Sequence, residues 1–189
     1  MDPEYTTSKN EKFCEKFMVV GALTGPGVLP LIRFPQKVKI NSQYYIDDVL
    51  KPLLEVHLPK LYPGELNKVF VHHDAASSHT SRKTAQYAQD LKARLGITII
   101  PNSEIPVKSP DTSPMDFYAF GMLKQKLHLR RASTIEGVWK LLKEEWNKIT
   151  LENIEKVYNS WKWRLRLVDQ KGGEHIEQTK KIHQRKLKF

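Results

Sequence analysis

The chain has 189 residues, the length of one ordinary domain, with 40% apolar and 28% charged residues and a net charge of +10. These are globular values: the longest apolar runs are a few residues, far short of the roughly 20 that a bilayer-crossing helix needs. The single cysteine, Cys14, excludes an intramolecular disulfide and a cysteine zinc cluster, and Met1–Lys16 lacks the apolar centre of a signal peptide, so the expectation is a soluble protein made in the cytosol.

In chain order, Phe17–Leu23 (FMVVGAL) and Leu29–Phe34 (LPLIRF) are short apolar segments around Thr24-Gly25-Pro26-Gly27, which predicts a β-hairpin. Asn41 suits the N-cap of a helix over Ser42–Val56, where Tyr45, Val49, Leu50, Leu53 and Leu54 form a core-facing stripe. Lys68–His72 reads as a buried strand. Thr80–Leu95 reads as an amphipathic helix with Ala85, Ala88, Leu91 and Leu95 on one side, closed by Gly96. Ile97–Ile100 completes a parallel strand–helix–strand unit. The four prolines of Pro101–Pro114 predict a loop. Helices follow over Met115–Leu127, Thr134–Ile149 and Leu151–Val168; in the second, Ile135, Val138, Trp139, Leu142, Trp146 and Ile149 recur at helical spacing. The expected fold class is therefore α/β, a mixed sheet flanked by helices, with a helical C-terminal portion.

Charge is uneven. Ser160–Phe189 carries nine Lys/Arg against three Asp/Glu, a net +6. That distribution points either to a polyanion partner, bound with release of condensed counterions, or to a solvated tail.

Two carboxylates stand at element ends. Asp74 follows the strand in VFVHHDAASSHTS, where α/β folds place ligand-handling groups. Asp116 opens a helix in SPDTSPMDFYAF, with Ser113 suited to N-cap, Pro114 to N1 and Asp116 to N3. If the two converge, a hard divalent ion such as Mg or Mn relieves their repulsion and takes its remaining ligands from water and phosphate. The plain alternatives are a strand-end acceptor for the Ala75–Ser78 turn and a capping-box acid. His72 and His73 alternate in direction and cannot chelate one ion together. His79 either touches phosphate or hydrogen-bonds the turn; Ser77, Ser78, Thr80 and Ser81 compete for the next N-cap.

At these residues the chain resembles the catalytic domain of Tc1/mariner-type DDE/D transposases. HHDAASSHT is similar to that family's second-acid motif, close to HQDxAPxHT, and SPDTSPMD to its third-acid motif, like SPDxxPxD. The 41 residues between Asp74 and Asp116 resemble the DD41D branch. FMVVGAL, NSQYYIDDVLKPLL and SWKWRLRLVDQKGGEHIE also match family segments, so the likeness runs from Phe17 to about Glu177.

The resemblance implies an RNase H-like domain in which Asp74 and Asp116 are catalytic metal ligands for Mg or Mn, in a two-ion site. It implies DNA as partner (transposon ends and target), cleavage and strand transfer as reaction, and the nucleus, or otherwise the cytoplasm, as location. His79, Thr80, Lys108, Lys124, Lys162, Arg164 and Arg166 become candidates for DNA contact. His73 and Ser77 depart from the usual glutamine and proline. The family's first acid lies on a central strand before the hairpin, whereas Met1–Lys16 is polar and Asp2 a poor substitute. The expected layout is a polar segment at 1–16, a partial catalytic domain at 17–168 lacking that strand, and a basic tail at 169–189. The hairpin then either pairs directly with the Asp74 strand or leaves an edge open to self-association, as a homodimer or with an intact homologue. The leading expectation is a transposase-derived chain unable to cleave by itself; the alternative is a domesticated, non-enzymatic DNA-binding or interaction protein.

Overall fold

The computed structural model describes residues 16–104, 110–130, 132, 134–174 and 176. Strands β1 (Val19–Thr24) and β2 (Gly27–Arg33) form the expected antiparallel hairpin, turning through Gly25-Pro26. The register shifts between Val20 and Ala22, opposite Pro30 and Leu31, so the proline falls at the irregularity, where its missing N–H removes no ladder bond. Gly21 has a packing reason: a Cβ there would lie 2.7 Å from Leu31 Cδ2 and 3.0 Å from the Trp146 ring.

Asn41 caps helix α1 as expected, its side chain accepting from the Tyr44 N–H at 2.9 Å. The helix continues beyond Val56, through contiguous stretches Ser42–Tyr45, Ile46–His57 and Leu58–Leu61, the middle one wound wide, with Leu58 N–H bonded to Leu53 C=O. Pro52 does not end it, because the apolar stripe persists on both sides: Tyr45, Val49, Leu50, Leu53, Leu54 and Leu58 are all buried.

Beyond α1, the expected strand Lys68–His72 is reduced to β3, Phe70–Val71, since Leu66–Lys68 forms a 3-10 turn. Phe70 is 67% exposed rather than buried. β3 pairs in parallel with β4 (Thr98–Ile99), and helix α2 (Arg82–Leu95) connects them. The buried face of α2 is set by Thr84, Tyr87 and Leu91, at steps of three and four, with Ala88 and Leu95 alongside; Ala85, two residues before Tyr87 and so nearly opposite it on the helix, is exposed. Gly96 ends α2 in the left-handed conformation, φ 79°, where a Cβ would also meet Asn67 Cα at 2.9 Å.

The last helices are α3 (Met115–Ala119, wound wide, continuing as Phe120–Arg130), α4 (Ile135–Asn147) and α5 (Leu151–Gln170), the last two capped by Thr134 and Thr150. Helix α5 runs past residue 168, and Ile176 beyond it is buried.

The hairpin lies between two cores because its residues alternate in direction. Val20, Ala22, Leu29 and Ile32 face a cluster built from α1, α2, β3 and β4. Val19, Leu23, Val28 and Leu31 face a second cluster around Ala119, Leu123, Leu142 and Trp146, from α3 and α4. The indole N–H of Trp146 donates to Leu29 C=O at 2.8 Å, fixing α4 under β2. The α/β class holds, with both antiparallel and parallel pairing. Among the described residues, however, the strands form two separate two-stranded ladders, and no pairing joins the hairpin to β3. Of the two arrangements expected, direct pairing of the hairpin with the Asp74 strand is the one not found among the described residues.

Candidate active site

Asp74 lies just beyond β3, in a tight turn that its own side chain helps to close. Its Oδ1 accepts the Ala76 N–H at 3.1 Å, while Ala76 C=O accepts the N–H groups of His79 and Thr80. Ser81, rather than Ser77, Ser78 or Thr80, is the N-cap of α2, accepting from Thr84 N–H at 3.2 Å. The Thr84 hydroxyl donates to Ser78 C=O at 2.6 Å, so the turn is pinned to the helix from inside.

Of the two roles open to His79, hydrogen bonding within the turn is the one observed. Its Nδ1 lies 2.6 Å from Asp74 Oδ1 and 3.1 Å from the Asp74 main-chain oxygen. Its ring stacks on Tyr45 at 3.8 Å and on His73 at 5.0 Å. The Tyr45 hydroxyl is 3.2 Å from His73 Nδ1. Burial pushes the Tyr45 phenol well above its ordinary pKa, reinforced by the negative charge of Asp74. Burial likewise pushes His73 down to about 4, with a smaller contribution from His79. A phenol that keeps its proton thus sits beside an imidazole that stays neutral, and the contact is a neutral hydrogen bond whose direction follows the His73 tautomer. Asp74 is held below the usual carboxylate range, chiefly by the hydrogen bond from His79, and stays ionised.

Asp116 sits in the first turn of α3. Ser113 contributes its carbonyl, which accepts from the N–H groups of Asp116 and Phe117 at 3.0 Å each, instead of the side-chain cap expected of it. His72 links the two acids electrostatically: burial lowers its pKa, opposed by the charges of Asp116 and then Asp74. His73, by contrast, packs against Tyr45, their ring centroids 6.2 Å apart.

Helix α5 secures the approach to Asp116. The Trp161 indole donates to Thr112 C=O at 2.7 Å, the Arg164 guanidinium lies 4.2 Å over the Phe117 ring, and Tyr158 donates to Leu23 C=O at 3.1 Å.

This backbone arrangement has solved counterparts. A Mos1 mariner paired end complex with Mn matches it with a TM-score of 0.78 at 22% identity, covering 93% of this chain and 49% of that one. A pre-cleavage Mos1 transpososome matches at 0.75 and 22%, covering 93% and 50%, and the separate catalytic domain of Mos1 mariner transposase at 0.69 and 22%, covering 86% and 77%. The fold is that of a mariner transposase catalytic domain. The chain spans about half the length of the Mos1 chains in the first two structures. No protein-family model and no curated protein matches the sequence.

Within this mariner-type fold the donor chemistry suits a hard divalent ion. Asp74 and Asp116 supply anionic oxygens, and among the described residues no hydrogen bond occupies Asp74 Oδ2. A single ion held by one or two carboxylates, with water and phosphate completing the shell, fits that set. No cluster of three or more His, Cys, Asp or Glu side chains able to hold a metal occurs among the described residues, so they do not supply a full two-ion ligand set.

The DNA-contact candidates separate by environment. Thr80, Lys124, Lys162 and Arg166 are exposed. His79 is engaged with Asp74. Arg164, by contrast, is only 5% exposed and stacked on Phe117, so it is packed inside. Lys108 lies outside the described residues. Sequence reasoning missed Tyr45, which it placed in the apolar stripe. The available signal was its hydroxyl, since a buried tyrosine needs a partner for that group. No helix among the described residues is long and apolar enough to cross a membrane.

Proposed function

We propose that this chain is a transposase-derived domain of the Tc1/mariner type, which binds DNA together with Mg or Mn through Asp74 and Asp116. The observation that carries this reading is the mariner catalytic fold over 93% of the chain; the charges of Asp116 and Asp74, both of which act on His72, support it. The neighbouring structures are described as transposon-end and strand-transfer complexes, one of them with Mn, which supports DNA and a divalent ion as ligands here. When bound, such an ion activates an attacking oxygen and stabilises a leaving one. The chain's own residues hold Asp74 ionised and oriented, and fix Asp116 at a helix start through the Trp161 and Arg164 contacts.

Cleavage by the 189-residue chain alone is not expected on this reading, since it rests on Asp74 and Asp116 and no group of three or more His, Cys, Asp or Glu able to hold a metal occurs among the described residues. The test is Mg- or Mn-dependent nicking of supercoiled plasmid. Activity that Asp74→Asn abolishes would establish a complete enzyme, whereas DNA binding without nicking fits the proposal.

A second reading, DNA binding without catalysis, is favoured by the basic C-terminal portion. It requires binding that weakens with salt, survives Asp74→Ala, and falls when residues 177–189, with five Lys/Arg and one Glu, are removed. Deletion from Ser160 is unsuitable, since Arg164, Val168 and Ile176 are buried and their loss would damage the fold itself. Absence of binding at low salt would overturn both readings.

A further inference from the structure

We propose that His79 is a positioning residue for Asp74 and that Tyr45 holds it in place, so that a three-ring contact decides which carboxylate oxygen faces an incoming cation. This rests on the reading of Asp74 as a metal ligand.

The carboxylate is exposed, yet its support is not. The Asp74 side chain is 73% accessible, against 14% for His79, and Tyr45 is 4% exposed. Two donors converge on Oδ1: His79 Nδ1 at 2.6 Å and Ala76 N–H at 3.1 Å. With one oxygen fixed by two donors, the carboxylate plane is set and Oδ2 becomes the outward ligand. Hydrogen-bonding partners of metal ligands orient them in this way.

The His79 ring is held in turn on its faces. Tyr45 lies against it at 3.8 Å and 25°, His73 at 5.0 Å and 14°. Tyr45 is rooted in the capped first turn of α1 and also reaches His73, the residue before Asp74, through its hydroxyl. One side chain of a distant helix thereby braces both the strand end and the turn that carry the acid.

The geometry fixes a tautomer. Nδ1 faces two acceptors, the carboxylate and the main-chain oxygen of Asp74, so Nδ1 carries a proton. The imidazole ¹H–¹⁵N correlation spectrum of the metal-free chain at pH 8 is expected to show His79 as the Nδ1–H tautomer. The Nε2–H form would overturn the proposal.

Binding of Mn²⁺ alone, followed by electron paramagnetic resonance, supplies the second readout. His79→Ala and Tyr45→Leu are each expected to weaken Mn²⁺ roughly tenfold or more. His79→Asn, whose amide nitrogen can occupy the Nδ1 position, and Tyr45→Phe, which keeps the stack, should stay within about threefold of the parent, and both guard against misfolding of the harsher variants. If Asp74→Ala abolishes Mn²⁺ binding while a folded His79→Ala leaves it unchanged, the positioning role falls and the metal reading stands. If Mn²⁺ binding is indifferent to Asp74→Ala, the metal reading falls and takes the positioning role with it.

Discussion

Trp161 donates its indole N–H to the carbonyl of Thr112 at 2.7 Å, tying the C-terminal helix to the segment that delivers Asp116. Three residues along the same helix, Arg164 lies over Phe117, immediately after the acid. The SWKWRL segment thus braces one acid from below, much as Tyr45 braces the other.

Replacing Trp161 by phenylalanine retains most of the ring but removes the donor to a buried threonine's carbonyl. The expected cost is about 1–2 kcal/mol in urea unfolding. Amide exchange over residues 112–117 should rise more than exchange in the hairpin, and uniform acceleration would argue against a local brace.

Lys162 and Arg166 are exposed on α5, whereas Arg164 between them is buried. Lys162→Ala and Arg166→Ala are each expected to lower the salt dependence of DNA affinity, the slope of log K against log salt falling by up to about 0.9 per lost phosphate contact. Arg164→Ala should instead lower the melting temperature, with little change in that slope. A slope change in the Arg164 variant as large as that for Arg166 would refute the inward assignment.

These contrasts show what the sequence made legible. Helix α1 was readable from its cap and stripe, because Asn41 and the Tyr45–Leu54 periodicity act locally. The two acids were readable through motif resemblance, each at the end of an element, Asp74 after β3 and Asp116 in the first turn of α3. The inward turn of Arg164 was not, since a guanidinium on a basic helix reads as solvated until its long-range partner Phe117 is known. Nor was the shortness of β3. Phe70 has high strand propensity and belongs to an apolar run, but strand length depends on which neighbours pair with it.

Gly21 offers a direct test of packing between the hairpin and α4. An alanine Cβ would press on Leu31 Cδ2, which can rotate away, and on the ring of Trp146, which is 1% exposed and anchored to Leu29. Gly21→Ala is expected to cost about 1–3 kcal/mol of stability. Combining it with Trp146→Phe, which removes the two closest ring atoms, should recover part of that loss in a double-mutant cycle. Strict additivity would place the strain elsewhere.

The ring contact also predicts how stability responds to acid. His73 is depressed from 6.5 to about 4, mainly by burial, so between those values the unfolded chain takes up a proton that the folded chain refuses. Stability contributed by a neutral buried histidine is complete above pH 6.5 and is lost as pH falls toward 4. His72, lowered for the same principal reason, acts in the same direction. Asp74, also depressed, adds a loss only below its ordinary value of 3.8, in a separate window. His73→Gln keeps a polar side chain without a titrating group. Urea unfolding from pH 7 to pH 4 should therefore show a shallower acid limb in this variant, by roughly 2 kcal/mol at the acid end. Parallel pH profiles for the two proteins would mean that His73 is solvated in the folded state, and that burial does not hold it neutral.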